Sequence, residues 1–208
     1  MDIAAIAALA PVIPVLTIDR VEEAVPLARA LVKGGLPVLE LTLRTDVALA
    51  ALKAIAREVP DAIVGAGTVL DATQVRQVQE AGARFAVSPG CTPALVAATR
   101  SAGLPFLPGV QTVTEAMVLA EQGFAVLKLF PADSAGGPGW VRAIGAPLTG
   151  LRFCPTGGVG ADTAQAYLSL ANVACVGGSW VAPRAVVAVQ DWSQVERLAA
   201  AAARLKRS

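Results

Sequence analysis

The sequence contains no histidine, and that absence excludes several classes of enzyme site at once. Ser-His-Asp and Cys-His triads, histidine-based zinc sites and imidazole general bases all require a residue that this chain does not have. Much of the acid–base and metal chemistry of enzymes is therefore excluded before any motif is considered.

Cysteine is scarce, and its placement argues against both disulfides and metal binding. Cys91, Cys154 and Cys175 are odd in number, widely spaced and set in apolar runs, which is typical of reduced thiols. No C-x-x-C motif is present, and only one carboxylate stands at the end of an apolar run. We therefore predict no metal site.

Charge is also sparse. Charged residues make up 16% of the chain, and 17 basic residues against 16 acidic ones leave a formal net charge of +1. So small a charge produces no long-range field, which argues against binding to nucleic acid or a membrane surface. The longest uncharged stretch, Thr163–Pro183, contains polar residues and glycines and is not predicted to span a membrane. Asp2 stands where a signal peptide would carry basic residues, so we expect a cytoplasmic protein.

What the chain does have is aliphatic content. Hydrophobic residues make up 55% and aromatic residues only 4%, a balance that argues against intrinsic disorder. No low-complexity linker or charge block divides the 208 residues, so residues 1–208 are predicted to form one domain.

Short apolar runs alternate with amphipathic stretches along the whole chain. The runs are partly β-branched and bounded by Gly, Pro, Asp or Thr, as buried parallel strands are. Eight such runs are present: Pro11–Ile18, Pro37–Leu43, Ala62–Thr68, Phe85–Ser88, Pro105–Val110, Ala125–Phe130, Arg152–Thr156 and Val173–Gly178.

The stretches between the runs have helical spacing and helix-end residues. Asp19, Thr45 and Thr92 are candidate N-caps, and Thr112 with Glu115 reads as a capping box. The predicted helices are Val21–Val32, Asp46–Val59, Asp71–Ala81, Thr92–Gly103, Thr112–Gly123, Gly139–Ile144, Asp162–Leu170 and the tail Trp192–Lys206. Eight strand–helix repeats predict an α/β fold, a single (β/α)8 TIM barrel with a short N-terminal helix and a C-terminal helix. An open doubly wound sheet is the alternative.

Lys128 is the most informative residue at the predicted strand ends, where barrel active sites lie. The other lysines, Lys33, Lys53 and Lys206, fall on helices or in the tail, whereas Lys128 interrupts a buried strand. Desolvation favours the neutral amine, which is the nucleophile that forms a Schiff base with a ketone. The alternative is a lysine that reaches solvent at the barrel mouth or pairs with a carboxylate for structural reasons.

Glu40 lies in the second run, and Arg44 follows that run directly. Glu40 is the only carboxylate inside any apolar run, so it suits a group that takes and returns protons. It could equally be a structural partner of Lys128 or Arg44. Arg44 offers a planar fork for a carboxylate or phosphate, although such a residue is more often a surface residue near a helix start.

Two Gly-Gly pairs follow the last two runs. Gly157-Gly158 and Gly177-Gly178 stand where barrel phosphate sites recur, and Ser179 can add a hydroxyl. One such pair marks any tight turn, but two in neighbouring loops predict a phosphate site. Gly65-Ala66-Gly67 is not a dinucleotide fingerprint, because the third glycine of that motif would fall at Leu70.

Six motifs occur together in one known family. They are Glu40-Leu41-Thr42-Leu43-Arg44-Thr45, Gly65-Ala66-Gly67-Thr68-Val69, Ser88-Pro89-Gly90, Lys128-Leu129-Phe130-Pro131-Ala132, Pro155-Thr156-Gly157-Gly158-Val159 and Gly177-Gly178-Ser179-Trp180. The chain resembles, from about Pro11 to Pro183, the 2-keto-3-deoxy-6-phosphogluconate (KDPG) aldolases, which also act as 4-hydroxy-2-oxoglutarate (KHG) aldolases. Cys91 and the loop Gly136–Trp140 depart from the family pattern.

The resemblance implies a class I aldolase of the Entner–Doudoroff pathway that cleaves KDPG to pyruvate and glyceraldehyde 3-phosphate. It implies that Lys128 forms the Schiff base and that Glu40 is the general acid/base. Arg44 then holds the substrate carboxylate, with Thr68 and Pro89 lining the same pocket and Phe130 beside the lysine. The hydroxyl and phosphate end of the substrate corresponds to Thr156, Gly157, Gly158, Gly178 and Ser179. The resemblance further implies a homotrimer, whose partners are pyruvate and a phosphorylated 2-keto acid, with no cofactor.

Other functions stay open at this point. A sibling aldolase acting on 4-hydroxy-2-oxoglutarate or on the galactonate epimer is the nearest, and the Thr156 hydroxyl favours the gluconate epimer. A phosphate-sugar isomerase or epimerase on the same barrel is the alternative from another class, because fold alone does not decide function. A phosphate-sugar-binding barrel without activity is a third, disfavoured by the lysine and glutamate together.

Overall fold

Each apolar run of the sequence contributes to a parallel β-sheet. The computed structural model describes all 208 residues. Its strands are β1 (Val12–Leu16), β2 (Val38–Thr42), β3 (Ile63–Gly67), β4 (Ala86–Val87), β5 (Phe106–Leu107), β6 (Gly109–Val110), β7 (Val126–Leu129), β8 (Arg152–Pro155) and β9 (Val176–Gly178). They form a six-stranded sheet in the order β5-β4-β3-β2-β1-β9 and a three-stranded sheet in the order β6-β7-β8.

The division between the sheets falls inside one predicted strand. Pro108 interrupts the run Pro105–Val110, and proline has no N–H to donate to a neighbouring strand. The residues before it pair with β4, and the residues after it pair with β7. The α/β class with parallel strands is confirmed, and the hydrogen-bonded strands make an open six-stranded sheet and a separate three-stranded one.

Helices follow most strands. They are α1 (Ile3–Ala8), α2 (Val21–Lys33), α3 (Ala48–Glu58), α4 (Ala72–Glu80), α5 (Pro93–Ser101), α6 (Val113–Glu121), α7 (Gly137–Gly145), α8 (Ala164–Leu168), α9 (Arg184–Ala188) and α10 (Trp192–Ala203). The predicted capping box is present: the Thr112 side chain accepts from the Glu115 N–H, and the Glu115 carboxylate accepts from the Thr112 N–H. Thr92 caps α5 as predicted.

Two predicted helix caps are wrong. α2 begins after Arg20 without a side-chain cap, so Asp19 does not serve that role. Thr45 does not cap α3, because its hydroxyl donates to the Ile18 carbonyl at 2.6 Å and ties the loop after β2 to the end of β1. The short helix α9 was not predicted, since five residues after a proline carry too little periodicity to identify.

The apolar core is divided by the strands. Side chains on one side of the sheets pack against the helices, with Leu31, Leu41 and Leu52 fully buried. A smaller cluster on the other side takes residues from strands of both sheets, such as Val38 and Val126, together with Phe85. Ile6 and Ala7 of α1 pack into this smaller cluster. None of the helices has both the length and the apolar character needed to cross a membrane.

Candidate active site

A buried ion pair joins the two sheets. Lys128 lies in β7 and Glu40 in β2, and the Lys128 Nζ is 2.9 Å from the Glu40 Oε1. The lysine side chain is 6% exposed and the glutamate side chain 3% exposed. The structure therefore brings together the two residues predicted to be catalytic, and Lys128 does not extend into solvent at the strand ends.

Glycines on neighbouring strands make room for this pair. A Cβ on Gly67 of β3 would overlap the Glu40 carboxylate, so any larger residue would displace that side chain. A Cβ on Gly109, the register partner of Lys128, would overlap the Pro89 carbonyl group. The Phe130 ring covers another side, with the Lys128 Nζ 5.3 Å from the ring centroid, a cation–π distance.

Thr68 and Pro89 adjoin the two glycines that pack near the ion pair, although neither lines the cavity described below. Thr68 follows Gly67 directly and has a φ of 61°, a left-handed conformation that non-glycine residues rarely adopt. Such strained residues concentrate at functional sites. Pro89 is half-buried against Gly109, the strand neighbour of Lys128. Both predicted binding residues are thus close in the fold to the lysine and the glutamate.

A cavity of about 880 Å³ opens next to Phe130, and neither Lys128 nor Glu40 is among its lining residues. Small-molecule sites commonly have volumes of about 300–1,000 Å³. Of the predicted site residues, the cavity is lined by Arg44, Phe130, Thr156, Gly157, Gly158, Gly178 and Ser179. Phe130 lines the cavity and also covers Lys128, so it connects the buried pair with the open space.

The Gly157-Gly158 turn has the geometry of an anion site. Gly157 has a φ of 91° and Gly158 a φ of 80°, conformations that favour glycine. The N–H groups of Gly158 and Ser179 donate no backbone hydrogen bond, whereas Gly157 faces β9 through the bridge that pairs Thr156 with Gly177. Free backbone N–H groups facing a cavity favour an anion such as phosphate.

Glycine is needed at Gly177 and Gly178 for a different reason from the anion binding that the sequence predicts. Gly177 and Gly178 belong to β9 and are not in the left-handed region. A Cβ on Gly177 would overlap the Thr156 side chain, and one on Gly178 would overlap the Trp180 ring. These glycines are required by packing, not by close approach of an anion to the backbone, although both line the cavity.

Arg44 and Thr156 supply polar side chains to the cavity wall. Arg44 is exposed and makes no ion pair, so its guanidinium is free to bind a ligand. The buried Thr156 hydroxyl donates to the Cys154 carbonyl at 3.3 Å and keeps its acceptor capacity.

Sequence reasoning missed four charged residues of the same cavity: Asp19, Arg20, Glu23 and Arg184. Glu23 is 4% exposed, and both the Arg20 Nε and the Arg20 Nη2 are 2.7 Å from its Oε1. A signal was present, because Glu23 lies four residues before Leu27 on the buried face of α2. A carboxylate on such a face requires a partner.

Two of the three cysteines, Cys91 and Cys175, are poor nucleophiles in this fold. Burial raises the pKa of the Cys91 thiol to about 11. The pKa of the Cys175 thiol is raised well above its ordinary value, chiefly by the hydrogen bond to Cys154 and by burial. Cys, Asp and Glu side chains form no group of three that could hold a metal ion. Lys128 is therefore the nucleophile that the site itself offers.

Comparison with known proteins finds relatives over most of the chain. The family model described as KDPG and KHG aldolase matches residues 3–198. The 2-dehydro-3-deoxy-phosphogluconate aldolase of Pseudoalteromonas atlantica is 50% identical over 189 residues, 91% of this chain and 88% of that protein.

Solved structures agree with the sequence match. The KDPG aldolase of Legionella pneumophila, with pyruvate captured at low pH as a covalent carbinolamine intermediate, is 44% identical with a TM-score of 0.94. That match covers 96% of this chain and 97% of the Legionella chain. The Zymomonas mobilis ZM4 enzyme with 3-phosphoglycerate is 43% identical with a TM-score of 0.95, over 100% of this chain and 97% of its own.

Proposed function

The chain belongs to the KDPG and KHG aldolase family, and on that basis we propose that it cleaves KDPG to pyruvate and glyceraldehyde 3-phosphate through a Schiff base on Lys128. One observation carries the assignment of roles: the buried pair in which the Lys128 Nζ and the Glu40 Oε1 are 2.9 Å apart. An amine and a proton acceptor at hydrogen-bond distance are what imine chemistry requires.

The first step produces the nucleophile. The Lys128 ammonium transfers a proton to the Glu40 carboxylate along their hydrogen bond, which leaves a neutral amine and a carboxylic acid. The amine lone pair attacks the C2 ketone and forms a carbinolamine. Glu40 returns a proton to the C2 hydroxyl, water leaves, and the lysine nitrogen becomes an iminium.

Carbon–carbon cleavage follows from the iminium. Glu40, again a carboxylate, accepts the proton of the C4 hydroxyl, through a water. The C3–C4 bond breaks, C4 becomes the aldehyde of glyceraldehyde 3-phosphate, and the bonding electrons move to the iminium nitrogen. The resulting enamine is protonated at C3 and hydrolysed to pyruvate and free Lys128. The lysine supplies the electron sink, so the scheme needs no cofactor.

The cavity orients the substrate. Arg44, on the cavity wall, holds the carboxylate in a planar fork. Phe130 encloses the reacting carbons beside Lys128, and the resemblance adds Thr68 and Pro89 to this enclosure. The phosphate binds at the Gly157-Gly158 turn and at the free N–H groups of Gly158 and Ser179, beside Gly178. Thr156, between the two ends, contacts the C4 hydroxyl and favours the gluconate over the galactonate epimer.

We further infer that the two sheets form one closed (β/α)8 barrel within a single domain of residues 1–208. Two contacts support the closure. Thr156 and Gly177 form an isolated parallel bridge between the ends of β8 and β9. β5 and β6 are separated only by Pro108 and continue the same run of chain. The resemblance also supports a homotrimeric assembly.

Borohydride trapping tests the function directly. The protein is incubated with pyruvate and borohydride, and the adduct is mapped by peptide mass spectrometry. We expect a reduced pyruvyl adduct on Lys128, no adduct in Lys128→Ala, and a wild-type result in the control Lys53→Ala, whose lysine is exposed on α3. A folded protein that gives no adduct would exclude the Schiff-base mechanism and favour a phosphate-sugar isomerase.

A further inference from the structure

Two charged pairs line the cavity, and the mechanism uses neither. Arg20 is paired with Glu23, and the Arg184 Nη2 is 3.3 Å from the Asp19 Oδ1. All four residues line the same cavity as Gly158 and Ser179. They come from the loop after β1, the first turn of α2 and the start of α9.

The topology brings these two loops together next to the free N–H groups. β1 and β9 are neighbouring parallel strands, with Pro14 opposite Gly178. The chain segments that leave these strands therefore run side by side, and the contact between Asp19 and Arg184 joins them directly. Ser179 is the first residue after β9, so both arginines stand at the phosphate end of the cavity.

Arg20 is held in place for ligand binding. Its Nε and Nη2 both contact the Glu23 Oε1 at 2.7 Å, and Glu23 is 4% exposed. A guanidinium has five N–H donors, so a pair that occupies two leaves three for a ligand. Burying a carboxylate costs free energy unless the carboxylate is paired. Glu23 is paired with Arg20, and this pair fixes the Arg20 guanidinium on the cavity wall.

The subsite gains a free cation when a ligand takes the place of Asp19. Asp19 and Glu23 each balance one arginine, and the unpaired Arg44 is assigned to the substrate carboxylate. Neutral N–H groups alone bind a monoanion or a dianion, but arginine forks bind phosphate through two parallel charged hydrogen bonds. A phosphate dianion can displace Asp19 from Arg184, because that contact is exposed on both sides.

We propose that Arg20 and Arg184 form an outer anion subsite that receives the terminal phosphate and sets the preference for phosphorylated over unphosphorylated 2-keto acids. Glu23 is the positioning residue of this subsite, and it acts through Arg20. The inference rests on the proposed function, since it concerns the phosphorylated end of the same substrate.

Kinetics with two substrates test the subsite. Arg184→Ala and Arg20→Lys are compared with wild type on KDPG and on 4-hydroxy-2-oxoglutarate, which has no phosphate. Arg20→Lys keeps a cation for Glu23, so the buried carboxylate is not left unpaired. We expect the KM for KDPG to rise about tenfold in each variant, the loss typical of one charged hydrogen bond, with kcat within about twofold of wild type. The KM for 4-hydroxy-2-oxoglutarate should stay within about twofold.

The matched control is Arg76→Ala, an exposed arginine on α4 that contacts only Thr73 and lies outside the cavity. It should leave both KM values unchanged. Wild-type KM values for KDPG in both Arg184→Ala and Arg20→Lys would overturn the proposal, as would equal increases for both substrates. Pyruvate trapping on Lys128 is measured in every variant, so failure of the subsite is distinguished from failure of the aldolase mechanism.

The role of Glu23 has its own readout. Glu23→Gln should raise the KM for KDPG several-fold in the wild-type background and have no further effect in Arg20→Lys. Inorganic phosphate, used as a competitive inhibitor, should bind more weakly to Glu23→Gln and to Arg184→Ala than to wild type. Additive effects of Glu23→Gln and Arg20→Lys on KM would show that Glu23 does not act through Arg20.

Discussion

At the scale of the residue, the site depends on two charges that have left water together. Either charge alone, removed from solvent at that depth, would be strongly unfavourable, so each stabilises the other. The same contact gives the amine a proton acceptor at 2.9 Å. Structural stability and reactivity therefore depend on one hydrogen bond.

Glu40→Gln separates the two contributions. The amide keeps a hydrogen-bond acceptor for the Lys128 Nζ but cannot take its proton. We expect kcat for KDPG cleavage to fall by about 10²–10⁴, the usual contribution of a general acid or base, while pyruvate binding is retained. Steady-state kinetics and pyruvate titration measure the two effects.

The control for that variant is Glu80→Gln, an exposed carboxylate on α4 without an ion pair. It should have wild-type kinetics. A Glu40→Gln enzyme with wild-type kcat would mean that another group, such as a water held by backbone atoms, carries the protons.

A site residue could be predicted from the sequence when its residue type is rare at such a position in a fold. Lys128 and Glu40 interrupt apolar strands, so their burial and proximity could be inferred from the sequence. Arg20 lies in a loop and Arg184 begins the short helix α9, both places where charged residues are ordinary, and only the pairing of β1 with β9 brings them together. The reason for Gly178 could not be inferred, because the Trp180 ring that fills its Cβ position is oriented by tertiary packing.

At the scale of the element, prediction succeeded where local chemistry decides the structure. The apolar runs become strands because each is buried on both faces, and the Thr112–Glu115 box forms because its partners are three residues apart. Prediction failed where a contact between residues far apart in the sequence competes with the local one. Thr45, for example, donates to the Ile18 carbonyl instead of capping α3. The run Pro105–Val110 was predicted as one strand, but Pro108 divides it into two. The part before Pro108 pairs with β4, and the part after it pairs with β7.

The capping box gives a test of helix α6. Thr112→Ala removes the acceptor for the Glu115 N–H and should lower the free energy of unfolding by about 1 kcal/mol. Thr114→Ala, an exposed threonine in the same helix, is the matched control and should change the stability by less than about 0.5 kcal/mol. Urea unfolding at pH 7 measures both values.

The same capping box predicts that the stability of the protein depends on pH. Backbone hydrogen bonds from Gln111 and Thr112 lower the pKa of Glu115. A carboxylate with a lowered pKa stabilises the folded state above its unfolded pKa, and this stability is lost as the pH falls through the folded value. The stability difference between wild type and Glu115→Gln should therefore shrink in acid. A constant difference from pH 7 to a pH below the folded pKa of Glu115 would contradict this role.

At the scale of the whole molecule, the proposed assembly can be checked by mass. Light scattering or sedimentation equilibrium should give three times the mass of the 208-residue chain at micromolar concentration. A concentration series is the internal control, since dissociation on dilution would lower the mean mass. A mass equal to one chain throughout would contradict the homotrimer and leave the active site unaffected, because every residue assigned to it comes from one chain.

The ion pair between β2 and β7 has a consequence for how the protein acquires activity. Glu40, Arg44, Thr68 and Pro89 precede Pro108 in the chain, whereas Lys128, Phe130, Thr156 and Ser179 follow it. Neither half of the polypeptide contains a complete site, and the lysine meets its proton acceptor only across the boundary between the two sheets. After dilution from denaturant, turnover therefore begins only when the two halves of the chain have docked. The rate at which aldolase activity returns measures the rate of that docking.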